Sequence, residues 1–163
     1  MATGRQQSNF ASTSASYADF ELPNTTGLHP TYQMEGTSWN DPSVQSRFLN
    51  DSQTEQNYYA VVSYQHSAEK LNLQLSPYFR YGRIDYTPDP VRDLVFQGVA
   101  EHEVNDFTTG GAQFDLSYDV TSDHTIRAGL LGQYTSERLD TNSLVFPIDS
   151  EGNQTATTPL RLI

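Results

Sequence analysis

The chain contains no cysteine, so neither disulfides nor thiolate chemistry contributes to it. Cationic residues are scarce: nine Lys and Arg stand against 20 Asp and Glu, for a formal net charge of -11. That balance speaks against nucleic acid as a partner, because its phosphates would be repelled. Long hydrophobic runs are missing as well, and nothing approaches the roughly 18 apolar residues that a membrane-spanning helix needs. The opening residues, "MATGRQQSNFASTSASYADF", lack the apolar centre of a secretory signal, so the chain as read carries no export address of its own.

Catalytic signatures are also missing. No nucleophile elbow, phosphate loop or zinc helix occurs. "TTGGAQ" (Thr108 to Gln113) has neither the lysine nor the spacing of a P-loop. "EHE" (Glu101 to Glu103) matches no compact metal motif, and His29, His66, His102 and His124 are scattered. The expectation is a protein that is not an enzyme, with no catalytic residues, no metal site and no cofactor.

Aromatic residues, by contrast, are plentiful, with 10 Tyr and 8 Phe, although mean hydropathy is only -0.60. Their placement is ordered. In "LNLQLSPYFRYGRIDY", Leu71, Leu73, Leu75, Phe79 and Tyr81 alternate with Asn72, Gln74, Ser76, Tyr78 and Arg80. Successive side chains of a strand point to opposite sides, so this segment has one oily and one wet face. Before it, Tyr58, Ala60, Val62 and Tyr64 alternate with Tyr59, Val61, Ser63 and Gln65. A turn over Ser67 to Lys70 joins the two, and placing Tyr58 opposite Phe79 and Val62 opposite Leu75 brings both oily faces together. Pro77, on the oily face, predicts a bulge or a weakened pair.

The design recurs in "GGAQFDLSYDVTSDHTIRAGLLGQYTSE". Ala112, Phe114, Leu116, Tyr118 and Val120 form one oily face, and Ile126, Ala128, Leu130, Gly132 and Tyr134 the other. A three- or five-residue turn around Ser122 and Asp123 keeps them on one side. Between the hairpins, Asp89 before Pro90 marks a helix start, Val91, Leu94 and Val95 follow at helical spacing, and Gly98 can end the turn.

The organisation that follows is a long polar loop (1–57, with at most a short helix near Val44–Leu49), a first β-hairpin (58–83), a loop with a short helix (84–106), a second hairpin (107–136) and a further loop (137–163). The expected fold is all-β: an antiparallel up-and-down meander of four strands, forming a segment of a transmembrane β-barrel with long loops. Short turns at one end and long polar loops at the other are the asymmetry of such barrels. Ten steps from Leu71 to Tyr81 span about 33 Å, which at a tilt of about 40° covers roughly 25 Å of height, the apolar band of an outer-membrane barrel. Tyr58, Phe79, Tyr81 and Tyr134 fall toward the loop end of the oily faces, and Tyr64 and Tyr118 toward the turn end, as two interfacial girdles would. No acidic residue falls on an oily face.

The hairpins "YYAVVSYQ…LNLQLSPYFRY" and "GGAQFDLSYDVTSDHTIRAGLLGQY", with "YADFELPNTTG" and "TPDPVRDLVFQGVA" in the loops, make residues 17–150 resemble the barrel domain of TonB-dependent outer-membrane receptors. The resemblance implies a 22-stranded barrel filled by a plug, residence in the cell outer membrane, and import of scarce nutrients such as ferric siderophores. It also implies partners: outer-membrane lipid, the rest of the barrel and its plug, the TonB complex acting through that plug, and a small-molecule ligand such as a metal chelate. The chain as read shows no plug and too few strands to close a barrel, and is expected to contribute wall and external loops. Arg80, Asp115 and Arg127 on the wet faces are the candidate lumen-facing charges, and Tyr32, Trp39, Phe96 and Phe146 are the loop aromatics that could meet a ligand. Two other readings compete: a soluble β-sandwich binding module with the oily faces packed together, and a segment of an ungated porin.

Overall fold

A computed structural model describes residues 6–21, 29–38, 41 and 44–163. Six strands form one antiparallel meander sheet, each lying beside its neighbour in the chain: β1 (Gln6–Glu21), β2 (Ser52–Ala68), β3 (Leu71–Thr87), β4 (Val99–Asp119), β5 (Thr125–Val145) and β6 (Leu160–Leu162). The sheet is open, with β1 and β6 as its two outer strands. Among the described residues, one short helix, α1 (Arg92–Gln97), lies between β3 and β4, and a 3-10 turn covers Ser46–Phe48.

Six strands rather than four correct the expected count. β1 runs through a stretch expected to be loop, and its composition explains why: Ser, Thr, Asn and Ala dominate it, and Phe10 and Tyr17 fall on opposite parities. A strand is held by backbone hydrogen bonds, which leave no signature in side-chain alternation. The other strands also outrun their oily segments. β2 starts at Ser52, β3 continues to Thr87, β4 begins at Val99, and β5 reaches Val145, so much of the expected loops at 84–106 and 137–163 is extended ladder. β6 pairs with the far end of β5, with Ser143 opposite Leu162 and Val145 opposite Leu160.

The chain divides into two compact units. The first comprises Met1–Ser16, Gln56–Gly82 and Asp106–Arg138, and the second Tyr17–Glu55, Arg83–Asn105 and Leu139–Ile163. Within the first unit, β2 and β3 are joined by the two-residue turn Glu69–Lys70. Ser63 meets Ser76 at 2.8 Å, Gln65 meets Gln74 at 2.9 Å, and the rings of Tyr58 and Tyr81 lie 6.0 Å apart. These contacts are offset by two residues from the register expected from a longer turn. Because side chains repeat every two residues, the offset leaves both faces intact. β3 passes through Pro77 as one continuous strand. The β4–β5 connection has five residues, Val120 to His124, and Thr109 and Thr135 meet across the pair at 2.9 Å.

The second unit has its own small core. Leu94, Ala100 and Phe146 are buried together, with Tyr32, Met34 and Leu144 packed around them. The Phe146 amide donates to the Gly98 carbonyl at 3.0 Å, and the Thr31 and Tyr32 amides both donate to the Val95 carbonyl. The residues expected to be external loops are therefore a packed body built on α1 and the strand ends.

Candidate functional site

The first unit presents two faces of different composition, although Tyr59 and Leu131 put exposed apolar side chains on the wet one too. On the oily face, Tyr58, Val62, Tyr64, Leu75, Phe79, Phe114, Tyr118, Ile126, Leu130 and Tyr134 are all exposed, Leu130 to 72% and Tyr134 to 76% of their surface. A contiguous apolar surface of this extent marks a contact with something else. The sandwich alternative required two stacked sheets, whereas these strands belong to one. Leu75 and Phe114 therefore remain open where a sandwich would bury them.

On the wet face, polar side chains satisfy one another between strands. Besides the Ser63–Ser76 and Gln65–Gln74 contacts, Tyr78 donates its hydroxyl to Gln133 Oε1 at 2.8 Å, and within β4 Gln113 Nε2 donates to Asp115 Oδ2 at 2.8 Å. An open hollow of about 510 Å³ lies on this face, lined by Gln65, Asn72, Gln74, Asp115, Ser117 and Arg127 among others. The fold thus brings Asp115 and Arg127, two of the three candidate lumen-facing charges, to one hollow. Arg80 lies elsewhere on the same face, with Asn57 Oδ1 at 3.4 Å and its guanidinium 5.0 Å from the Phe107 ring centre.

Glycine makes room for the wet-face aromatics. A Cβ on Gly82 would lie 2.1 Å from Phe107 Cζ, and one on Gly111 would lie 2.6 Å from Tyr78 Cζ and 2.7 Å from the Gly132 carbonyl oxygen. Rings laid flat over strand glycines cover the exposed backbone and pin the register. Neither Gly82 nor Phe107 was singled out from the sequence. Their signal, a strand glycine with an aromatic on the adjoining strand, is visible only once the pairing is known.

The loop aromatics occupy a different kind of position. Phe146 and Phe96 are buried in the second unit, at 4% and 8% exposure, and Tyr32 stacks on Phe146 with 6.0 Å between ring centres. Tyr32 also lies against Gly98, whose φ of 80° puts it in the left-handed region at the end of α1. Phe146 and Tyr32 thus pack in the core of the unit, and the buried Phe96 and Phe146 offer a ligand little surface, while Tyr32 is half-buried. Trp39 lies outside the described residues.

The start of α1 matches the capping chemistry in "TPDPVRD". Asp89 Oδ1 accepts from the amides of Val91 and Arg92 at 3.2 and 3.0 Å, and Asp89 Oδ2 accepts from the Arg92 guanidinium and from the Asn50 amide. Burial opposes ionisation of Asp89, but these donors outweigh it and hold the carboxyl below its ordinary value. His102 Nε2 and Asp85 Oδ1 meet at 3.0 Å, and Arg83 reaches the other Asp85 oxygen at 3.2 Å. Glu101 and Glu103, which flank His102, are exposed, and among the described residues no group of three His, Asp or Glu is arranged to hold a metal ion. No protein-family model and no curated protein matches the chain.

Proposed function

We propose that the chain is a section of the wall of a transmembrane β-barrel, with its oily face against acyl chains and its wet face toward an enclosed lumen. The exposed oily face of the first unit carries this reading. Some ten large apolar side chains share one side of the sheet, while the polar side chains opposite them are engaged with one another. In water that arrangement is unfavourable, at roughly 25 cal/mol for each Å² of apolar surface left wet. Lipid reverses the sign.

An open meander falls short of the roughly eight strands of the smallest closed barrels, so the closed form requires further strands from elsewhere. With the resemblance of "TPDPVRDLVFQGVA" and the two hairpins, this favours a TonB-dependent receptor of the outer membrane, importing a scarce nutrient such as a ferric siderophore. The chain's share is structural. The first unit supplies wall, and the second supplies a packed body of external loops. The hollow beside Asp115 and Arg127 is then part of the lumen surface.

Site-directed spin labelling tests the wall reading. Labels at Leu130 and Phe114 are expected to be accessible to oxygen and shielded from a water-soluble relaxation agent in lipid vesicles, and labels at Ser117 and Gln133 the reverse. Equal access of the polar agent to both sets, in a protein that is a monodisperse monomer in plain buffer, rejects it. The receptor reading is tested by deleting the intact parent from its cell and measuring uptake of iron chelates and cobalamin, and unchanged uptake of every one rejects it.

A further inference from the structure

A second open hollow, of about 440 Å³, lies within the second unit, where β4, β5 and β6 run beside the turn after β3. Its volume is in the range of small-molecule sites, about 300–1,000 Å³. Strand register sets its floor. The Phe146 amide donates to the Gly98 carbonyl, and stepping inward along that antiparallel pair puts Ala100 opposite Leu144 and His102 opposite Asn142. On β6, Arg161 stands opposite Leu144. Opposed side chains share a face, so these five line one side of the sheet. Pro88 and Pro90, from the turn after β3, add an apolar wall.

The polar groups suit an anion. Arg161 Nε donates to Asn142 Oδ1 at 2.9 Å, which fixes the guanidinium and leaves its two terminal nitrogens without a partner among the described residues. With its oxygen engaged, Asn142 keeps Nδ2 as a donor. Arg83 and Arg92 each face a carboxylate in the same unit, whereas Arg161 is held by an amide oxygen and keeps its charge for something else. Asp85 contacts the lining residue His102, and Arg83 reaches its other oxygen, so that negative charge is already met.

We propose that this hollow binds a small organic carboxylate, with the anion on the Arg161 fork and Asn142 Nδ2 and a compact apolar body against Pro88, Pro90 and Leu144. The site lies wholly within the second unit, separate from the Asp115–Arg127 hollow of the first, and stands whether or not the first unit faces lipid. The parallel N–H groups of a guanidinium match the two oxygens of a carboxylate, and such charge-assisted pairs are the strong ones. A bare anion would leave the apolar wall wet, and a neutral apolar molecule would leave the guanidinium unmatched. One cation in a strongly acidic chain balances a single negative charge, which favours a carboxylate over a phosphate monoester carrying nearly two.

A nuclear magnetic resonance titration of the full chain in nonionic detergent, at about pH 7, tests this with phenylacetate as the probe. Phenylacetate is expected to give saturable shifts at the amides of Ala100, Leu144 and Arg161. Phenylacetamide has the same shape without the charge, and acetate has the charge without the ring; each is expected to bind about tenfold more weakly or worse. Arg161→Gln removes the charge from an exposed position and should weaken phenylacetate by about tenfold, with Arg161→Lys, which keeps the charge but loses the fork, falling between. Unmoved signals of Leu94 in the same spectra report that a variant is folded, and if neither variant folds, the ligand comparisons on the wild type decide. The lack of saturable shifts at these residues with millimolar phenylacetate would overturn the proposal. So would binding of phenylacetamide or acetate as tight as that of phenylacetate, tighter binding of phenyl phosphate, or unchanged affinity in folded Arg161→Gln.

Discussion

Phe107 lies flat over Gly82, its ring filling the space that any Cβ at that position would need. The two residues sit on adjacent strands of the first unit, and the Arg80 guanidinium lies 5.0 Å from the same ring. Glycine is therefore required at position 82 by a neighbour rather than by its own backbone angles. Gly82→Ala is expected to push the ring away and cost about 1–3 kcal/mol, the usual range for overpacking. Equilibrium unfolding in detergent measures this. Phe107→Leu in the same chain should recover part of the loss, and a double-mutant cycle gives the coupling. Additive effects of the two changes would refute the relationship.

A second prediction uses the difference between the faces. Leu130→Arg puts a cation on the oily face, and should cost roughly 2–4 kcal/mol if that position lies near the bilayer midplane. Ser117→Arg puts the same charge beside the wet-face hollow, where it should be close to neutral. The check is urea-induced release of the complete barrel from vesicles with each variant. Equal costs at the two positions would remove the basis for assigning one face to lipid.

What could be read from the residues was the two-faced strand. The oily and wet positions of β2 to β5 follow from alternation alone, because a core or a membrane selects side chains with period two. The helix start at Asp89 and its end at Gly98 were equally legible, since each depends on one residue's local chemistry. β1 was not legible. Its ladder is made by backbone groups, and a strand of Ser, Thr and Ala reads like a loop when neither face is apolar. The register of the first hairpin was missed by two residues because alternation fixes only parity. The packed second unit was hidden for a third reason: Tyr32, Leu94 and Phe146 are far apart in sequence, and no periodicity links them.

The pH dependence of stability has two opposing parts at α1. Asp89 is held below its ordinary value, so its stabilising contribution is complete above about pH 4 and is lost as pH falls through its folded value. Asp93 is raised to about 7, so its protonated form favours folding at low pH and its ionisation disfavours folding toward neutrality. The second unit should be most stable in mildly acid solution, between these limits. Asp89→Ala removes the cap and leaves Arg92 without that carboxylate, for an expected loss of about 1–2 kcal/mol at pH 6 that shrinks in stronger acid. Thermal unfolding across pH tests this, and a loss that grew on acidification would contradict it.

The buried loop aromatics lead to a prediction about ligand binding in the complete parent. Phe146 is almost fully enclosed, against Leu94 and Ala100 with Tyr32 stacked on it, so truncation leaves a cavity that the short α1 cannot collapse to fill. Phe146→Ala should cost about 3–5 kcal/mol, the range for a large buried aromatic. Tyr32→Phe keeps the ring stack and should be nearly silent. If these rings support the fold rather than touch a ligand, affinity measured on the folded fraction will be unchanged by Tyr32→Phe, while Phe146→Ala will reduce the folded fraction itself. Limited proteolysis of residues 88–98 alongside the binding titration separates the two effects. A Phe146→Ala protein as protease-resistant as the wild type but weakened in binding would return this ring to the ligand.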